Sequence, residues 1–178
     1  MKRIKELESF GKEIKGDLLF DYDLKKRNWF NIGGKAQIYF KPETLNELVL
    51  FLKKFSSEYR IFTLGAGSNI LLTDDKILGA VIKLGKNFSN ISLLSNEKII
   101  AGSACNDKQV SDFAMENNIG GLEFLSCIPG TIGGGLRMNS GCFGTEFKDI
   151  LLSVQALDEK GNMVTIPSNK INFGYRYS

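Results

Sequence analysis

The sequence predicts an α+β fold, and three observations support this prediction. The chain has 178 residues, a length typical of one domain or of two small lobes. Segments with helical and with strand periodicity alternate, but without the regular strand–helix–strand rhythm of a doubly wound sheet. The 19 glycines lie in discrete loops rather than in a low-complexity region. Together these features favour the α+β class over the α/β class.

The chain begins with a segment of helical periodicity and continues into a strand. Residues 4–15 predict a short amphipathic helix with Ile4, Leu7 and Ile14 on one side. A strand follows over residues 36–40, between a glycine pair and a proline. We expect the helix to be a lead-in to this first strand.

A second helix has a clear start signal. Thr44 and Glu47 form a capping box, in which the threonine hydroxyl accepts from the Glu47 N–H and the carboxylate reaches back. The apolar residues at helical spacing are Leu45, Leu48, Val49, Leu52 and Phe55. Strands are then predicted over residues 60–64 and 79–84.

The second half predicts two hairpins and two helices. The hairpins pair residues 91–94 with 98–101 and residues 153–157 with 163–166. One helix starts at a cap on Asn106 or Asp107 and continues through Asn117. A shorter helix covers residues 122–127.

Composition excludes several classes of function. The three cysteines are widely spaced and the chain has no histidine, which argues against a metal site and excludes Ser-His-Asp and Cys-His catalysis. The cysteine usage fits a reducing cytoplasm. Residues 1–20 lack a signal-peptide apolar region, and no apolar run is long enough to span a membrane. Acidic residues interrupt the basic N-terminal stretch, which argues against a nucleic-acid patch.

Two glycine-dense segments point to an anion cradle. Gly65–Asn69 follows an apolar strand, and residues 130–135 contain four glycines in six positions. Neither segment has the dinucleotide-binding or P-loop fingerprint. Glycine lets backbone N–H groups approach a bulky anion, so we expect two loops that cradle a diphosphate. A tight turn at the first and a convoluted loop at the second are the competing interpretations.

Six motifs in order make the chain similar to one family, from about residue 23 to the end. The motifs are Trp29-Phe-Asn-Ile-Gly-Gly34, Leu64-Gly-Ala-Gly-Ser-Asn69, Gly121-Leu-Glu-Phe-Leu125, Ile128-Pro-Gly-Thr-Ile-Gly-Gly134, Asn139-Ser-Gly141 and Gly174-Tyr-Arg-Tyr-Ser178. The chain thereby resembles the UDP-N-acetylenolpyruvoylglucosamine reductases, also called UDP-N-acetylmuramate dehydrogenases. Each motif alone is weak, whereas six at matching spacing are specific.

The resemblance implies an FAD-binding domain of the PCMH or vanillyl-alcohol-oxidase type, with two α+β lobes that hold FAD between them. It implies non-covalent FAD, since the chain lacks the histidine through which some relatives of this fold tether flavin. It places the cofactor-binding role on Gly65, Ala66, Gly67, Ser68, Asn69, Pro129, Gly130, Thr131, Ile132, Gly133, Gly134, Asn139 and Gly141.

The resemblance also implies a reaction. The family uses FAD and NADPH to reduce the enolpyruvyl ether of a UDP-sugar to UDP-N-acetylmuramate, a cytoplasmic step of peptidoglycan synthesis for the cell wall. Arg176 matches the family's active-site arginine and would stabilise the enolic oxyanion of the substrate. Tyr175 and Ser178 belong to the same motif and are weaker candidates for substrate contact.

Two departures from the family pattern qualify these expectations. Cys142 and Phe143 stand where the family usually has Ala-Tyr. The family's C-terminal substrate domain, with its proton-donating serine and catalytic glutamate, has no counterpart in this chain. We therefore expect the chain to supply the FAD-binding part and to be incomplete for turnover by itself.

The expected division of the chain is a lead-in over residues 1–22, a first FAD-binding lobe over 23–84 and a second over 85–178. Two alternatives remain. Another FAD oxidoreductase of this fold would lack the Tyr-Arg-x-Ser ending, and a non-catalytic nucleotide-binding module would give no flavin spectrum.

Overall fold

The computed structural model describes residues 2–178, with side-chain environments from residue 4 onward. Helices and strands occur in both halves of this range, which confirms the α+β prediction. The helices are α1 Lys2–Glu13, α2 Leu45–Phe55, α3 Asp107–Glu116, α4 Ile132–Arg137 and α5 Phe147–Ile150. The strands are β1 Asp17–Asp23, β2 Lys35–Lys41, β3 Ile61–Thr63, β4 Ile77–Ile82, β5 Ile91–Ser95, β6 Lys98–Ala101, β7 Gly141–Cys142, β8 Thr145–Glu146, β9 Ser153–Leu157 and β10 Met163–Pro167. Short 3₁₀ helices cover Lys25–Arg27, Lys86–Phe88, Glu123–Cys127 and Ser168–Lys170.

A four-stranded sheet in the order β1-β2-β4-β3 organises the first half. β1 is antiparallel to β2, whereas β2, β4 and β3 are parallel, so the carboxyl ends of these three strands meet at one edge. Lys41 ends β2, Lys83 directly follows β4, and Gly65 lies just beyond β3. Ligands commonly bind outside this edge of sheets with parallel strands.

The first core lies between one face of this sheet and helices α1 and α2. Its buried members are Leu7, Phe10, Ile38, Phe40, Phe51, Leu52, Phe55, Ala80 and Ile82. Phe51 stacks on Phe40 with ring centroids 4.4 Å apart, although it was not among the predicted apolar positions of α2. Two predicted inward residues are wrong, since Ile4 is 52% and Leu45 is 42% exposed. Each lies in the first turn of its helix, where the chain has not yet reached the core.

Two further clusters complete the packing. The opposite face of the sheet buries Leu24, Ala36, Tyr39, Leu64 and Val81. The second half has its own core of Cys105, Val110, Phe124, Leu125 and Phe147. The cores thus follow the two halves of the chain. Helix α1 packs into the first core through Leu7 and Phe10, so it contributes to the first lobe. The exact division at residues 22 and 84 stays a prediction.

The start of α2 shows how a local signal becomes structure. Thr44 is the N-cap, and its hydroxyl accepts from the Glu47 N–H at 3.2 Å, as predicted. The Glu47 carboxylate also accepts from Glu43 N–H at 2.9 Å and from Lys15 N–H at 3.0 Å. Burial by itself raises the pKa of Glu47, but these backbone donors outweigh burial and lower it. Glu47 therefore joins α2 to the connection between α1 and β1.

Thr44→Ala should lower the free energy of unfolding by about 1 kcal/mol, because it removes the acceptor at the first turn of α2. Thr44→Ser keeps the hydroxyl and should remain close to wild type. Urea denaturation of the three proteins measures the difference. Equal midpoints for Thr44→Ala and wild type would show that the cap contributes nothing here.

Candidate functional site

The structure brings the two glycine segments into contact. A Cβ on Gly65 would lie 2.7 Å from Thr131 Oγ1 and 4.0 Å from the Gly134 Cα. Since real Cβ atoms do not approach oxygen this closely, a side chain at position 65 would force Thr131 to move. Gly134 is more open, because a Cβ there would meet Thr131 Oγ1 at 3.4 Å. The cradle is thus formed between the edge of the sheet and the start of α4.

The first segment has the predicted irregular backbone. Gly67 adopts φ +75°, and a Cβ on it would lie 2.3 Å from the Arg27 carbonyl oxygen. The Trp29 N–H donates to the Gly67 carbonyl at 3.0 Å. Residues 70–72 do not form a helix, which agrees with the absence of a dinucleotide-binding fingerprint. The loop is therefore fixed against the residues that follow β1.

The second segment differs from its prediction as a loop, because Ile132–Arg137 form helix α4. Close packing explains part of its glycine content. A Cβ on Gly133 would lie 3.1 Å from Ser103, and one on Gly135 would lie 2.4 Å from the Phe147 ring. The N–H groups of Ile132 and Gly133 donate to Cys105 and Ser103 carbonyls at 2.9 Å. These two amides are already used by the protein, so the idea that they point at a ligand finds no support in their geometry.

Asn139 and Gly141 pack within the protein. Asn139 is 1% exposed, and its amide donates to the Gly174 carbonyl at 3.1 Å and to Glu146 Oε2 at 3.0 Å. Its oxygen accepts from the Lys148 N–H at 3.0 Å. A Cβ on Gly141 would lie 2.5 Å from the Thr145 carbonyl oxygen. The cofactor-binding role of both residues stays a prediction, whereas the positioning of the C-terminal motif by Asn139 is visible.

The C-terminal motif is attached to the end of α4. Arg137 Nη1 donates to the Ser178 carbonyl at 2.6 Å, and Ser178 Oγ donates to the Arg137 carbonyl at 3.1 Å. Arg176 has φ +56°, and its guanidinium lies 5.4 Å from the centre of the Tyr175 ring. Tyr175 is 85% exposed. The contacts through Asn139 and Arg137 therefore hold Arg176 beside the helix that begins at the cradle.

Comparison with known proteins shows the family of this chain. The family described as "FAD binding domain" matches residues 36–167, which is more than half of the chain. The chain belongs to this family. The fold predicted from the resemblance is confirmed, and so is the resemblance itself, because curated relatives carry the reductase name.

Two curated relatives of this FAD-binding domain are named UDP-N-acetylenolpyruvoylglucosamine reductase. The protein from Pelagibacter ubique is 62% identical over 173 residues, which are 97% of this chain and 57% of that protein. The protein from Rickettsia rickettsii (strain Iowa) is 47% identical over 163 residues, which are 92% of this chain and 55% of that protein. The chain thus spans about half the length of the curated relatives it matches.

Solved structures show the same fold. The reductase from Thermus caldophilus aligns with a TM-score of 0.75 at 26% identity, over 92% of this chain and 56% of that one. Berberine bridge enzyme from Eschscholzia californica aligns with a TM-score of 0.59 at 13% identity, over 91% of this chain and 36% of that one. The second likeness concerns the fold alone.

A cationic cluster at the edge of the sheet was not predicted. Lys83 is half-buried, and its ammonium group donates to the Gly65 carbonyl. Burial lowers its pKa, and the nearby charges of Arg27 and Lys41 lower it further. A sequence signal existed, because Lys83 alternates with Val81 and so lies on the same face of an apolar strand. We define Arg27, Lys41 and Lys83 as the edge cluster.

Asp107 is the second group that sequence reasoning missed, since it was considered only as a possible cap. Asn106 takes that role, with its backbone N–H bonded to Gln109 at 3.2 Å. The Asp107 carboxyl is fully buried, and neither oxygen has a hydrogen-bond partner among residues 2–178. Burial raises the pKa of Asp107 to about 7. A Cβ on Gly130 would lie 2.6 Å from its Oδ2, so this acid directly adjoins the second glycine segment.

A cavity of about 560 Å³ opens elsewhere in the second half, lined by Glu123, Cys127, Phe143 and Asp149 among others. None of the predicted site residues lines it. Phe143 is 86% exposed and has φ +54°. The predicted cofactor-binding residues therefore lie apart from this cavity.

In the described part of the chain, the helices are too short or too polar to cross a membrane. Within the same residues, no group of three or more His, Cys, Asp or Glu side chains is arranged to hold a metal ion.

Proposed function

We propose that this chain forms the FAD-binding part of a UDP-N-acetylenolpyruvoylglucosamine reductase that acts in peptidoglycan synthesis in the cytoplasm. The observation that supports the proposal most strongly is the contact of Gly65 with Thr131 and Gly134. It unites two motifs, about sixty residues apart, in a chain whose curated relatives carry this name.

The residues present fit FAD. A Cβ on Gly65 would collide with Thr131, while the side of Gly134 is open. Because neither glycine carries a side chain, the backbone at both positions can approach a diphosphate closely. The Thr131 hydroxyl, the Ser68 hydroxyl and the Asn69 amide add side-chain donors on the two segments. When bound, non-covalent FAD would supply the hydride transfer between NADPH and the enolpyruvyl group of the UDP-sugar.

The protein's own contribution is orientation and charge. Arg176 carries a permanent positive charge that can pair with a carboxylate in two parallel hydrogen bonds. We assign to it the stabilisation of negative charge on the substrate carboxylate. Tyr175 and Ser178 flank it and are proposed to contact the same substrate. Asn139 supports this role by fixing the Gly174 carbonyl at the start of the motif.

FAD binding by the 178-residue polypeptide is the first test. Titration with FAD, followed by flavin fluorescence, should show saturable binding at one site per chain. Acid precipitation should release all of the flavin into solution, as non-covalent binding requires. Anaerobic bleaching of the bound flavin by NADPH, with NADH as the comparison, tests the co-substrate. A polypeptide that is folded by circular dichroism and binds no FAD would contradict the proposal.

A further inference from the structure

The edge cluster concentrates positive charge at the carboxyl ends of parallel strands. Lys41 and Lys83 lie on the same face of the sheet, because they follow Tyr39 and Val81 by two residues on paired strands. Arg27 extends over this face from its 3₁₀ helix, with its guanidinium 5.7 Å from the centre of the Tyr39 ring. The three cations therefore converge beside the Gly65 loop.

The charge of the edge cluster is only partly compensated. Lys41 pairs with Asp17 at 3.9 Å, a long contact between partly exposed side chains. Arg27 donates to the hydroxyl of Tyr22, and the charge of Asp17 also acts on Arg27. Lys83 donates to a neutral carbonyl, that of Gly65, while Arg27 and Lys41 lower its pKa. Like charges held together in a half-buried place favour an anion nearby.

A buried hydroxyl on the same face also lacks a partner. Tyr39 is 1% exposed, and its hydroxyl has no hydrogen-bond partner among the described residues. Buried hydroxyls in folded proteins nearly always have a partner in the protein, in water or in a ligand. The Tyr39 ring stacks on the Tyr22 ring, with the ring centroids 4.3 Å apart. This orphaned group indicates that the face is built for a further polar occupant.

We propose that Lys83, supported by Arg27 and Lys41, binds a phosphate oxygen of the FAD diphosphate while it holds the Gly65 carbonyl in place. The proposal rests on the proposed function. An ammonium group has three N–H donors, so one can stay on the Gly65 carbonyl while the others turn to phosphate. The bond to Gly65 also turns the loop's carbonyl toward Lys83 and away from the anion. The edge cluster then supplies the charge that the Ile132 and Gly133 amides, already bonded within the protein, do not.

The test compares Lys83→Met with Lys83→Arg and with a matched control, Lys86→Met. Lys86 is an exposed lysine on the same connection. FAD dissociation constants are measured by flavin fluorescence at several NaCl concentrations. Lys83→Met should weaken FAD binding about 10- to 100-fold at low salt, the usual effect of losing a charge-assisted hydrogen bond. It should also flatten the salt dependence, because screening acts only on charges that are present. Lys83→Arg should retain most of the FAD affinity and most of its salt dependence. Lys86→Met should match the wild type in both.

The outcomes separate this inference from the proposed function. If the wild-type chain binds no FAD, the proposed function fails first. Two results would overturn the role of Lys83 and leave the proposed function standing. In the first, Lys83→Met binds FAD as well as the wild type does. In the second, it binds FAD weakly but with the salt dependence of the wild type. If Lys83→Met does not fold, the wild-type salt dependence decides, because an affinity that salt does not change would also overturn the inference.

Discussion

Gly65→Val should abolish measurable FAD binding, with a loss of affinity of at least about 100-fold. Even the first carbon of a side chain at residue 65 would lie 2.7 Å from Thr131 Oγ1. The backbone of Gly65 lies outside the left-handed region, so valine is not excluded by conformation and the effect comes from this contact. The two glycine segments must separate or the valine must fill the space between them. Overpacking of this kind costs about 1–3 kcal/mol of stability, which a folded variant can tolerate.

FAD affinity is measured by titration, and thermal unfolding without FAD shows whether each variant is folded. Gly120→Ala is the control, because a Cβ there would meet only Glu123 Oε1 at an ordinary 3.5 Å. It should bind FAD like the wild type. A second change, Thr131→Ala, removes the nearest atom and should partly restore binding to Gly65→Val if the contact is steric. Wild-type affinity in Gly65→Val would refute the location of the cofactor between these segments.

Much of the architecture was predictable because it depends on local signals. The hairpins at residues 91–101 and 153–167 and the cap at Thr44 follow from alternation, turn chemistry and a side-chain acceptor. The second glycine segment was predicted because four glycines in residues 130–135 need a physical reason. Gly133 and Gly135 allow α4 to pack closely against Ser103 and Phe147, whereas the expected approach of this segment to a ligand stays a prediction.

The remainder depends on contacts distant in sequence. No local pattern pairs Gly65 with Thr131, or Lys83 with the Gly65 carbonyl, because the sheet order and the docking of α4 create these contacts. Asn139 illustrates the same limit. Its motif was identified by resemblance, but its bond to Gly174 spans 35 residues and follows only from the fold. Candidate functional residues were thus easier to predict from the sequence than the residues that hold them in place.

Asp107→Asn should stabilise the chain at pH 8 by about 2–4 kcal/mol while leaving its stability near pH 4 almost unchanged. Burial raises the pKa of the folded-state carboxyl from 3.8 to about 7. The unfolded chain loses this proton first, so between these pH values the folded state binds more protons. The free energy of unfolding of the wild-type chain, as far as Asp107 determines it, is therefore highest below pH 4. It falls as the pH rises toward 7 and then levels off. Each unit of difference between the folded-state and unfolded-state pKa of Asp107 corresponds to about 1.4 kcal/mol of stability. Partial opening of the structure around Asp107 reduces the total effect.

The structural reason is that ionisation has no compensation at this position. The carboxylate would have two buried oxygens without donors, against the Gly130 end of the second glycine segment. Asparagine has a similar shape but stays neutral. It therefore avoids the cost of a buried carboxylate above pH 7, and it has no advantage over the protonated acid below pH 4. Urea denaturation without FAD, at several pH values between these limits, gives the difference between variant and wild type. That difference isolates Asp107 from the other titrating groups.

Asp112→Asn on the same helix is the matched control. Its carboxylate is partly exposed and pairs with Lys108 at 2.7 Å, a surface contact worth at most about 0.5 kcal/mol. It should change stability little and should not alter the slope between pH 4 and 7. Parallel curves for Asp107→Asn and wild type would mean that the carboxylate finds donors when it ionises, through movement of the Gly130 segment. A stability gain confined to high pH would instead show that the ionised carboxylate of Asp107 destabilises the fold beside the Gly130 end of the second glycine segment.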